Sequence, residues 1–187
     1  MSLVSVTGVR FLGTNPAPFC EPLRFEVSFE CYEALPDDLE WRIVYIGSAE
    51  TSSHDQVLDE IEVGPVPVGA AKFEMISDPP DPSKIPADDL LGITAVLLTC
   101  HYHQQEFLRI GYYVQSEYDD PSLAEMQPDP PRVDRIRRTV IEEPRVTRYN
   151  ICWHGNPTAP PPTAATTTGG AAVAVAEEPG TAPMQPV

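Results

Sequence analysis

Basic residues are scarce in this sequence. Lys and Arg total 12 against 28 Asp and Glu, which gives a formal net charge of −16. Residues 1–131 hold 6 basic and 23 acidic residues, whereas residues 132–148 hold 6 basic and 3 acidic residues. A field of this sign repels nucleic acid and anionic membranes, and it steers cationic partners toward the surface. We therefore expect no direct binding of nucleic acid, and either a basic partner or a surface that is simply kept soluble by its charge.

Long apolar runs and paired cysteines are missing as well. No stretch approaches the ~18 to 20 apolar residues of a membrane helix. The N-terminus MSLVSVTGVRFLG lacks the cationic start and uninterrupted apolar run of a secretory signal. The four cysteines (Cys20, Cys31, Cys100 and Cys152) show no CxxC pair and no zinc spacing. We expect no membrane association, reduced thiols inside a cell, and no metal or other cofactor.

Aromatic residues are absent from the C-terminal segment. The last 32 residues, from Asn156 onward, contain none, and Ala, Pro, Thr and Gly supply 24 of them. Such a segment cannot bury enough apolar surface to offset its ordering entropy. The composition therefore predicts a folded domain over residues 1–155 and a disordered Ala/Pro/Thr-rich tail over residues 156–187.

Most of the folded part alternates between apolar and polar residues with a period of two. The alternating segments are LRFEVSFEC (23–31), EWRIVYIGS (40–48), DQVLDEIEV (55–63), AAKFEMIS (70–77), LLGITAVLLTCHY (90–102) and EFLRIGYYV (106–114). Many short strands joined by turns indicate an all-β sandwich.

One region reads as a helix near the C-terminus of the domain. Asp129 can cap it, two prolines suit its first turn, and Val133, Ile136 and Val140 recur at helical spacing. The segment PSLAEMQ (121–127) could add a single helical turn. After Pro144, RVTRYNI returns to strand periodicity. The sequence therefore predicts one short C-terminal helix before a last strand.

The segment from Leu90 to Tyr102 is apolar on both faces, which is unusual for an antiparallel strand. Pairing it with EFLRIGYYV so that Val96, Leu98 and Cys100 are buried leaves Ile93, Ala95, Leu97, Arg109 and Tyr113 facing outward. This register needs an odd-numbered loop or a β-bulge, and we expect a three-residue loop with Gln104 in the left-handed conformation. The outward set has the composition of a protein interface. Alternatively, another strand or the C-terminal helix covers it.

Several long segments together resemble one family. They are LEWRIVYIGSAE (39–50), DQVLDEIEVGPVP (55–67), LLGITAVLLTC (90–100), QEFLRIGYYVQSEY (105–118) and PRVTRYNI (144–151). From about Val4 to Trp153 the sequence is similar to the anti-silencing-function histone chaperones. The resemblance implies an immunoglobulin-like sandwich that binds one histone three–histone four heterodimer on its concave face and blocks assembly of the histone tetramer. It also implies a nuclear protein with a cytoplasmic pool, monomeric when free, that hands histones to deposition complexes for nucleosome assembly and disassembly.

The same resemblance implies three binding sites. For histone three it indicates Ile46, Glu50, Asp55, Asp89, Ile93, Ala95, Leu97, Arg109 and Tyr113. For the C-terminal strand of histone four, added to the last strand of the domain, it indicates Arg145, Val146 and Thr147. For basic hairpins of deposition complexes it indicates Asp38, Glu40, Phe29, Val63 and Phe73. At the centre of the histone-three site the family has valine where this chain has Ala95, a loss worth ~1 to 2 kcal/mol, or about tenfold in affinity.

Two other function classes remain to be weighed. In HYHQQE (101–106), His101, His103 and Glu106 have the residue types of a cupin-like metalloenzyme site, with both histidines on one strand face. The segment PVGAAK (67–72) faintly resembles the second half of a cupin metal motif, but it precedes HYHQQE in the chain, which is the wrong order. We therefore expect no metal there and no enzyme. A cell-surface immunoglobulin domain would use Cys31, Trp41 and Cys100 as its core signature. The missing secretory signal argues against that class.

Overall fold

Two antiparallel sheets make up the part of the chain that the structure describes, residues 2–154 of a computed structural model. The small sheet has the order β1-β3-β6, with β1 at Val4–Phe11, β3 at Arg24–Cys31 and β6 at Gly69–Ile76. The large sheet has the order β2-β9-β8-β7-β4-β5, and β10 pairs with β8. Its strands are β2 (Ala17–Pro18), β4 (Leu39–Tyr45), β5 (Gln56–Val63), β7 (Gly92–Tyr102), β8 (Gln105–Tyr118), β9 (Ile136–Val140) and β10 (Arg145–Arg148).

The core lies between these sheets and is filled by alternate residues of each strand. On β3 and β4 every second side chain, such as Phe25 and Trp41, is buried. The two inner faces meet through aromatic rings: Phe25 and Tyr112 have centroids 5.3 Å apart, and Trp41 and Phe73 have centroids 5.5 Å apart. Burial of one face per strand is what holds a sandwich together. The predicted all-β, immunoglobulin-like sandwich is confirmed.

The helix lies earlier in the chain than the predicted one. Helix α1 spans Pro121–Met126, and its cap is Asp120, whose Oδ1 accepts the backbone N–H of Ser122 at 3.0 Å. This is the helical turn expected at PSLAEMQ. The helix predicted after Asp129 is wrong, because a 3-10 turn at Val133–Arg135 leads there directly into strand β9.

The physical reason for this error is a charged residue that faces inward. Ile136 and Val140 are four residues apart, which fits a helix and a strand equally well. Arg138, between them, is buried, and it donates hydrogen bonds to the carbonyl oxygens of Phe19 (3.1 Å) and Glu21 (2.5 Å). A buried arginine breaks the apolar alternation that would have indicated a strand.

The turn between β7 and β8 has two residues, not three. His103 and Gln104 have φ of +50° and +62°, and the flanking Tyr102 and Gln105 pair with each other. His101 then pairs with Glu106 but Cys100 pairs with Leu108, so Phe107 is the extra residue of a β-bulge. The expected three-residue loop is therefore wrong, and the alternative of a bulge is confirmed. Gln104 does adopt the left-handed conformation.

The C-terminal end of the described region packs on this hairpin. Trp153 is 9% exposed and stacks on Tyr102, with ring centroids 5.6 Å apart. Its ring centroid lies 4.9 Å from that of Phe107. The side-chain amide of Gln105 and the backbone of Cys152 exchange two hydrogen bonds of 3.3 Å. The predicted tail over residues 156–187 lies outside the described residues.

Two expectations about chain chemistry concern the cysteines and membrane helices. All four cysteines are free, with Cys31 and Cys100 buried and Cys20 and Cys152 exposed. No helix within residues 2–154 is long and apolar enough to cross a membrane.

Candidate protein-binding face

The outer face of the large sheet carries an apolar patch that crosses four strands. We define the apolar patch as Val44, Ile46, Val57, Ile93, Ala95, Leu97 and Tyr113. One cross-strand row runs Val57–Val44–Leu97–Gly111–Arg145, and a second joins Ala95 to Tyr113. Ile46 lies beside the second row, since its N–H donates to the Ala95 carbonyl at 3.0 Å. Exposure reaches 68% for Ile93, 59% for Val57 and 41% for Tyr113. The predicted outward set of β7 and β8 is thus gathered on one surface.

Val44, Val57 and Gly111 extend this surface beyond the residues indicated by sequence. A bulge between β4 and β5 pairs Val44 with Val57 but Ile43 with Asp59, so Leu58 is extra. Simple alternation would place Val57 on the inner face together with Ile61. Because of the bulge, Val57 lies on the outer face instead. The signal for Val44 was present, because it follows Arg42 on the outward side of a regular strand.

A hollow of about 200 Å³ opens in the middle of this face. It exists because two small residues, Ala95 and Gly111, form its floor between the larger side chains of Leu97 and Tyr113. A Cβ at Gly111 would lie 3.3 Å from Leu97 Cδ2, so the strand contact there is already close. Arg145 covers one rim, with its guanidinium carbon 5.6 Å from the centroid of Tyr113. The hollow can receive an apolar side chain of about the size of leucine or isoleucine.

Acidic loops border the end of the patch near Ile46 and Ile93. Glu50 and Asp55 follow β4, and Asp89 ends the 3-10 turn Ala87–Asp89 that leads into β7. Because β5 and β7 both pair antiparallel with β4, they begin at the same end of the sheet. The loops are tied together by Gln56, whose side-chain amide exchanges hydrogen bonds of 3.0 and 2.8 Å with the Asp81 backbone.

Asp55 is the most enclosed of these carboxylates. Burial raises the pKa of Asp55, and a hydrogen bond from the Gly47 backbone opposes that shift. Gly47 is needed for this close approach, because a Cβ there would lie 2.1 Å from the carbonyl oxygen of His54. A cationic partner would stabilise the ionised form of a half-buried carboxylate of this kind, because the ion pair compensates for the hydration lost on burial.

The opposite end of the face is ionic. Arg109 donates from Nε and Nη2 to the two carboxylate oxygens of Glu106, at 2.7 and 2.9 Å. Arg42 is ion-paired with Glu40, and its Nε lies 3.2 Å from Glu60 Oε2. The face therefore passes from acidic loops, through the apolar patch, to paired charges.

Strand β10 presents a free edge beside the patch. Among residues 2–154 it pairs only with β8, from Leu108 to Gly111, which leaves its other edge unpaired there, and all four of its residues are exposed. Arg145 and Thr147 face the first hollow, whereas Val146 and Arg148 face a second one of about 190 Å³, which reaches Val6 and Val9 on β1. The residues predicted to bind histone four thus lie on an edge strand with its backbone groups available.

The residues predicted to bind basic hairpins are only partly brought together. Phe29 is buried behind Phe73, with ring centroids 6.1 Å apart, and Val63 pairs with the buried Leu39. Val63 and Phe73 are partly buried on the inner sides of β5 and β6, the edge strands of the two sheets. Asp38 lies against Gly64, which directly follows β5. The approach is so close that a Cβ on Gly64 would be 2.2 Å from Asp38 Oδ1. Glu40 instead faces the outer side of the large sheet, where it pairs with Arg42.

The two histidines of HYHQQE contact different carboxylates. His101 Nε2 lies 3.8 Å from Glu106 Oε2, and His103 Nε2 lies 2.8 Å from Asp37 Oδ2. Burial and the nearby Arg42 guanidinium lower the pKa of His101. Within residues 2–154 no group of three or more His, Cys, Asp or Glu side chains could hold a metal ion. The cupin-like alternative is not supported by this arrangement.

Comparison with known proteins points to a histone chaperone. A family model described as "ASF1 like histone chaperone" matches residues 1–154. "Histone chaperone ASF1B" of Mus musculus is 53% identical over 158 residues, which cover 84% of this chain and 78% of the mouse protein. "Probable histone chaperone ASF1A" of Arabidopsis thaliana is 48% identical over 155 residues, covering 82% and 79%. "Histone chaperone ASF1" of Coccidioides immitis (strain RS) is 52% identical over 154 residues, covering 82% of this chain and 56% of the fungal protein. The chain therefore belongs to the ASF1-like histone chaperone family.

Proposed function

We propose that the protein binds one histone three–histone four heterodimer and hands it to deposition complexes during nucleosome assembly and disassembly. It does so as a carrier, without catalysing a reaction and without a cofactor. Such a carrier acts in the nucleus, where it influences transcription through histone supply, and a cytoplasmic pool receives new histones. The observation that carries the proposal is the outer face of the large sheet, where an exposed apolar patch borders a hollow on one side and meets acidic loops at one end.

The physical basis for histone-three binding is complementarity in both shape and charge. Ile46, Ile93, Ala95, Leu97 and Tyr113 offer apolar area whose burial by a helix is favourable. At one end, Glu50, Asp55 and Asp89 meet cationic side chains of a basic protein, and at the other, Arg109 meets a carboxylate. The strongly acidic chain attracts a basic partner and repels DNA, so this face selects the basic histone over DNA.

Histone four is proposed to bind by strand addition. The free edge of β10 offers the backbone of Arg145, Val146 and Thr147 to an extended segment. Main-chain hydrogen bonds supply affinity in this mode, and side-chain pockets on either side of the added strand supply specificity. Hollows lie on both sides of β10, so alternate side chains of the added strand can enter each.

A second, separate site is proposed for a basic hairpin of a deposition complex. Val63 and Phe73 supply apolar contacts between the edge strands, with Phe29 behind them, and Asp38 supplies negative charge at their end. Glu40 can act on this site only at long range, because its carboxylate faces the other side of the sheet, and its ion pair with Arg42 reduces that effect. The two sites lie on different sides of the sandwich, so a histone cargo and its recipient can be bound together.

The test is size-exclusion chromatography of the protein with purified histone three–histone four. A complex with one copy of each chain is expected. Ala95→Arg should abolish co-elution, because it places a charge in the apolar patch facing a basic partner. Ile76→Arg is the matched control, since Ile76 is 59% exposed on the outer face of the small sheet and its change should have no effect. Failure of the wild-type protein to co-elute at micromolar concentration, or equal loss with both variants, contradicts the proposal.

A further inference from the structure

The bulge at Phe107 brings Glu106 and Arg109 to the same side of strand β8. In a regular strand, residues three apart point to opposite faces. Here the extra residue places Glu106, opposite His101, and Arg109, opposite Thr99, together on the outer face. Bulges commonly redirect side chains next to functional sites. The motif HYHQQE thus has a structural consequence that involves no metal.

The contact that results is a two-point ion pair. Both carboxylate oxygens of Glu106 accept hydrogen bonds from Arg109, at Nε and Nη2, and the bonding to Glu106 raises the pKa of Arg109. A fork of this kind fixes the plane of the guanidinium as well as its position. The N–H groups on Nη1 and one on Nη2 are not used in this contact. They remain directed away from Glu106 on a side chain that is 44% exposed.

A second support for Arg109 comes from the chain that follows β10, on the other side of β8 from the bulge. The carbonyl oxygen of Phe107 accepts the backbone N–H of Tyr149 at 2.9 Å. This bond places the Tyr149 ring with its centroid 5.9 Å from the Arg109 guanidinium carbon. Arg109 is therefore held between a carboxylate, which the bulge in β8 positions, and an aromatic ring, which regular pairing with β10 positions.

We infer that Glu106 is a positioning residue, which holds the Arg109 guanidinium ready for a carboxylate of the bound partner. The inference rests on the proposed function, since that partner is the histone heterodimer. A free arginine side chain loses rotational freedom when it binds, and a side chain already fixed loses less. Loss of the support should weaken binding by roughly three- to tenfold on this account.

The opposite role for Glu106 makes the opposite prediction. If Glu106 only neutralised Arg109 or competed with the partner's carboxylate, its removal would tighten binding. The other ionisable groups near this pair are His101, whose Nε2 is 3.8 Å from Glu106, and Arg42, which is paired with Glu40 and Glu60. The distance from His101 to Glu106 is too long for a hydrogen bond, so Glu106→Ala removes hydrogen bonds to Arg109 alone. Any change in the longer-range effect of His101 persists in the Arg109→Ala background and is separated there.

The binding test is a double-mutant cycle measured by isothermal titration with the histone heterodimer. Glu106→Ala should weaken binding roughly three- to tenfold, and Glu106→Gln, which keeps a carbonyl acceptor for Nε, should recover part of the loss. In an Arg109→Ala background, Glu106→Ala should cause no further change. Glu62→Ala is the matched control, because this exposed carboxylate lies on the same face, opposite Glu40. Tighter or unchanged binding for Glu106→Ala, or an equal loss in the Arg109→Ala background, overturns the inference.

A second measurement tests the contact without any partner. In a nitrogen–proton correlation spectrum the Nε–H of Arg109 should give a distinct signal, assigned by its loss in Arg109→Lys. Glu106→Ala should shift this signal into the range of solvated arginines, and Glu62→Ala should leave it in place. A signal unaffected by Glu106→Ala shows that the support is absent, even if histones bind. A wild-type protein that gives the expected shift but binds no histone contradicts the proposed function while leaving the positioning contact established.

Discussion

Ala95 lies directly opposite Tyr113 across the β7–β8 ladder, and the hollow of the outer face opens where Ala95 is too small to meet the neighbouring side chains. Directly opposed residues share a face and interact most strongly when both are large. The size of residue 95 therefore sets how deep the hollow is.

Ala95→Val should tighten binding of the histone heterodimer by up to about tenfold, since two added carbon atoms each contribute ~0.8 kcal/mol on burial. The increase should be seen by isothermal titration. Ala70→Val is the control, because Ala70 is exposed on the outer face of the small sheet and should change affinity little. Weaker binding by Ala95→Val would show that the partner's own side chain already fills the hollow.

Asp55→Asn should separate binding from stability. It removes a charge that meets a cationic partner, so affinity should fall about tenfold. Burial raises the pKa of Asp55 in the folded state above its unfolded value. The ionised form is therefore unfavourable in the folded protein, an effect that is absent at low pH and develops as pH rises through the unfolded and then the folded pKa.

For the same variant, the melting temperature at neutral pH should therefore rise slightly relative to wild type, and the two should converge at acidic pH. Asp88→Asn, at an exposed carboxylate in the adjoining loop, should alter neither property appreciably. A lower melting temperature for Asp55→Asn at neutral pH would mean that its hydrogen bond with Gly47 outweighs burial.

Arg138→Ala should lower the free energy of unfolding by about 3 kcal/mol, because it leaves one buried and one partly buried carbonyl oxygen without their donors and opens a cavity. The carbonyls are those of Phe19 and Glu21, in the loop that carries β2. Urea denaturation measures the loss. Arg137→Ala, whose side chain is 40% exposed and 3.7 Å from Asp119, should cost at most about 1 kcal/mol. Similar losses for both variants would remove the special role of the buried residue.

A chain ending at Gly155 should melt at the temperature of the full-length protein, because the removed segment lacks core-forming residues. A chain ending at Asn150 should be less stable by about 3 kcal/mol, since it loses the packing of Trp153 on Tyr102 and Phe107. Differential scanning calorimetry compares the three. A fall of several degrees for the chain ending at Gly155 would show that the tail docks on the domain.

Asp38→Lys should abolish binding of a basic hairpin peptide and reduce histone affinity only slightly, through the long-range field. The residual loss should shrink as salt rises. Ala95→Arg should have the reverse pattern. Glu40→Lys is expected to differ from Asp38→Lys, because it also disturbs Arg42 on the histone-binding face. Loss of both ligands by either Asp38→Lys or Ala95→Arg, in a folded protein, would mean that the sites are one.

The sequence was sufficient for features that depend on local alternation. Ile93, Ala95, Leu97, Arg109 and Tyr113 share a face because the register that buries Val96 and Leu98 permits no other arrangement. It was insufficient where a long-range contact decides. Arg138 is buried by carbonyls over a hundred residues away in the chain, and nothing near it in sequence indicates this.

Bulges and cavities were the other sources of error. Val57 was missed because one extra residue in β5 reverses its face. In β4 the buried residues are Leu39 and Trp41, so Glu40 between them faces outward. The family resemblance had instead assigned Glu40 to the same site as Asp38. The hollow could not be predicted, because its volume depends on how Ala95 and Gly111 from two strands come to lie side by side.

The exposed edge of β10 has a consequence for self-association. Antiparallel pairing of this strand with that of a second copy, centred on its middle, would set Arg145 of each chain against Arg148 of the other. Like charges directly opposed across a ladder are destabilising, and charged side chains on an edge are a common protection against aggregation. A segment from a different protein, with neutral or acidic residues at those two positions, meets no such repulsion. The two arginines therefore disfavour pairing of β10 with β10 of a second copy, but they do not disfavour pairing with a strand of a different protein.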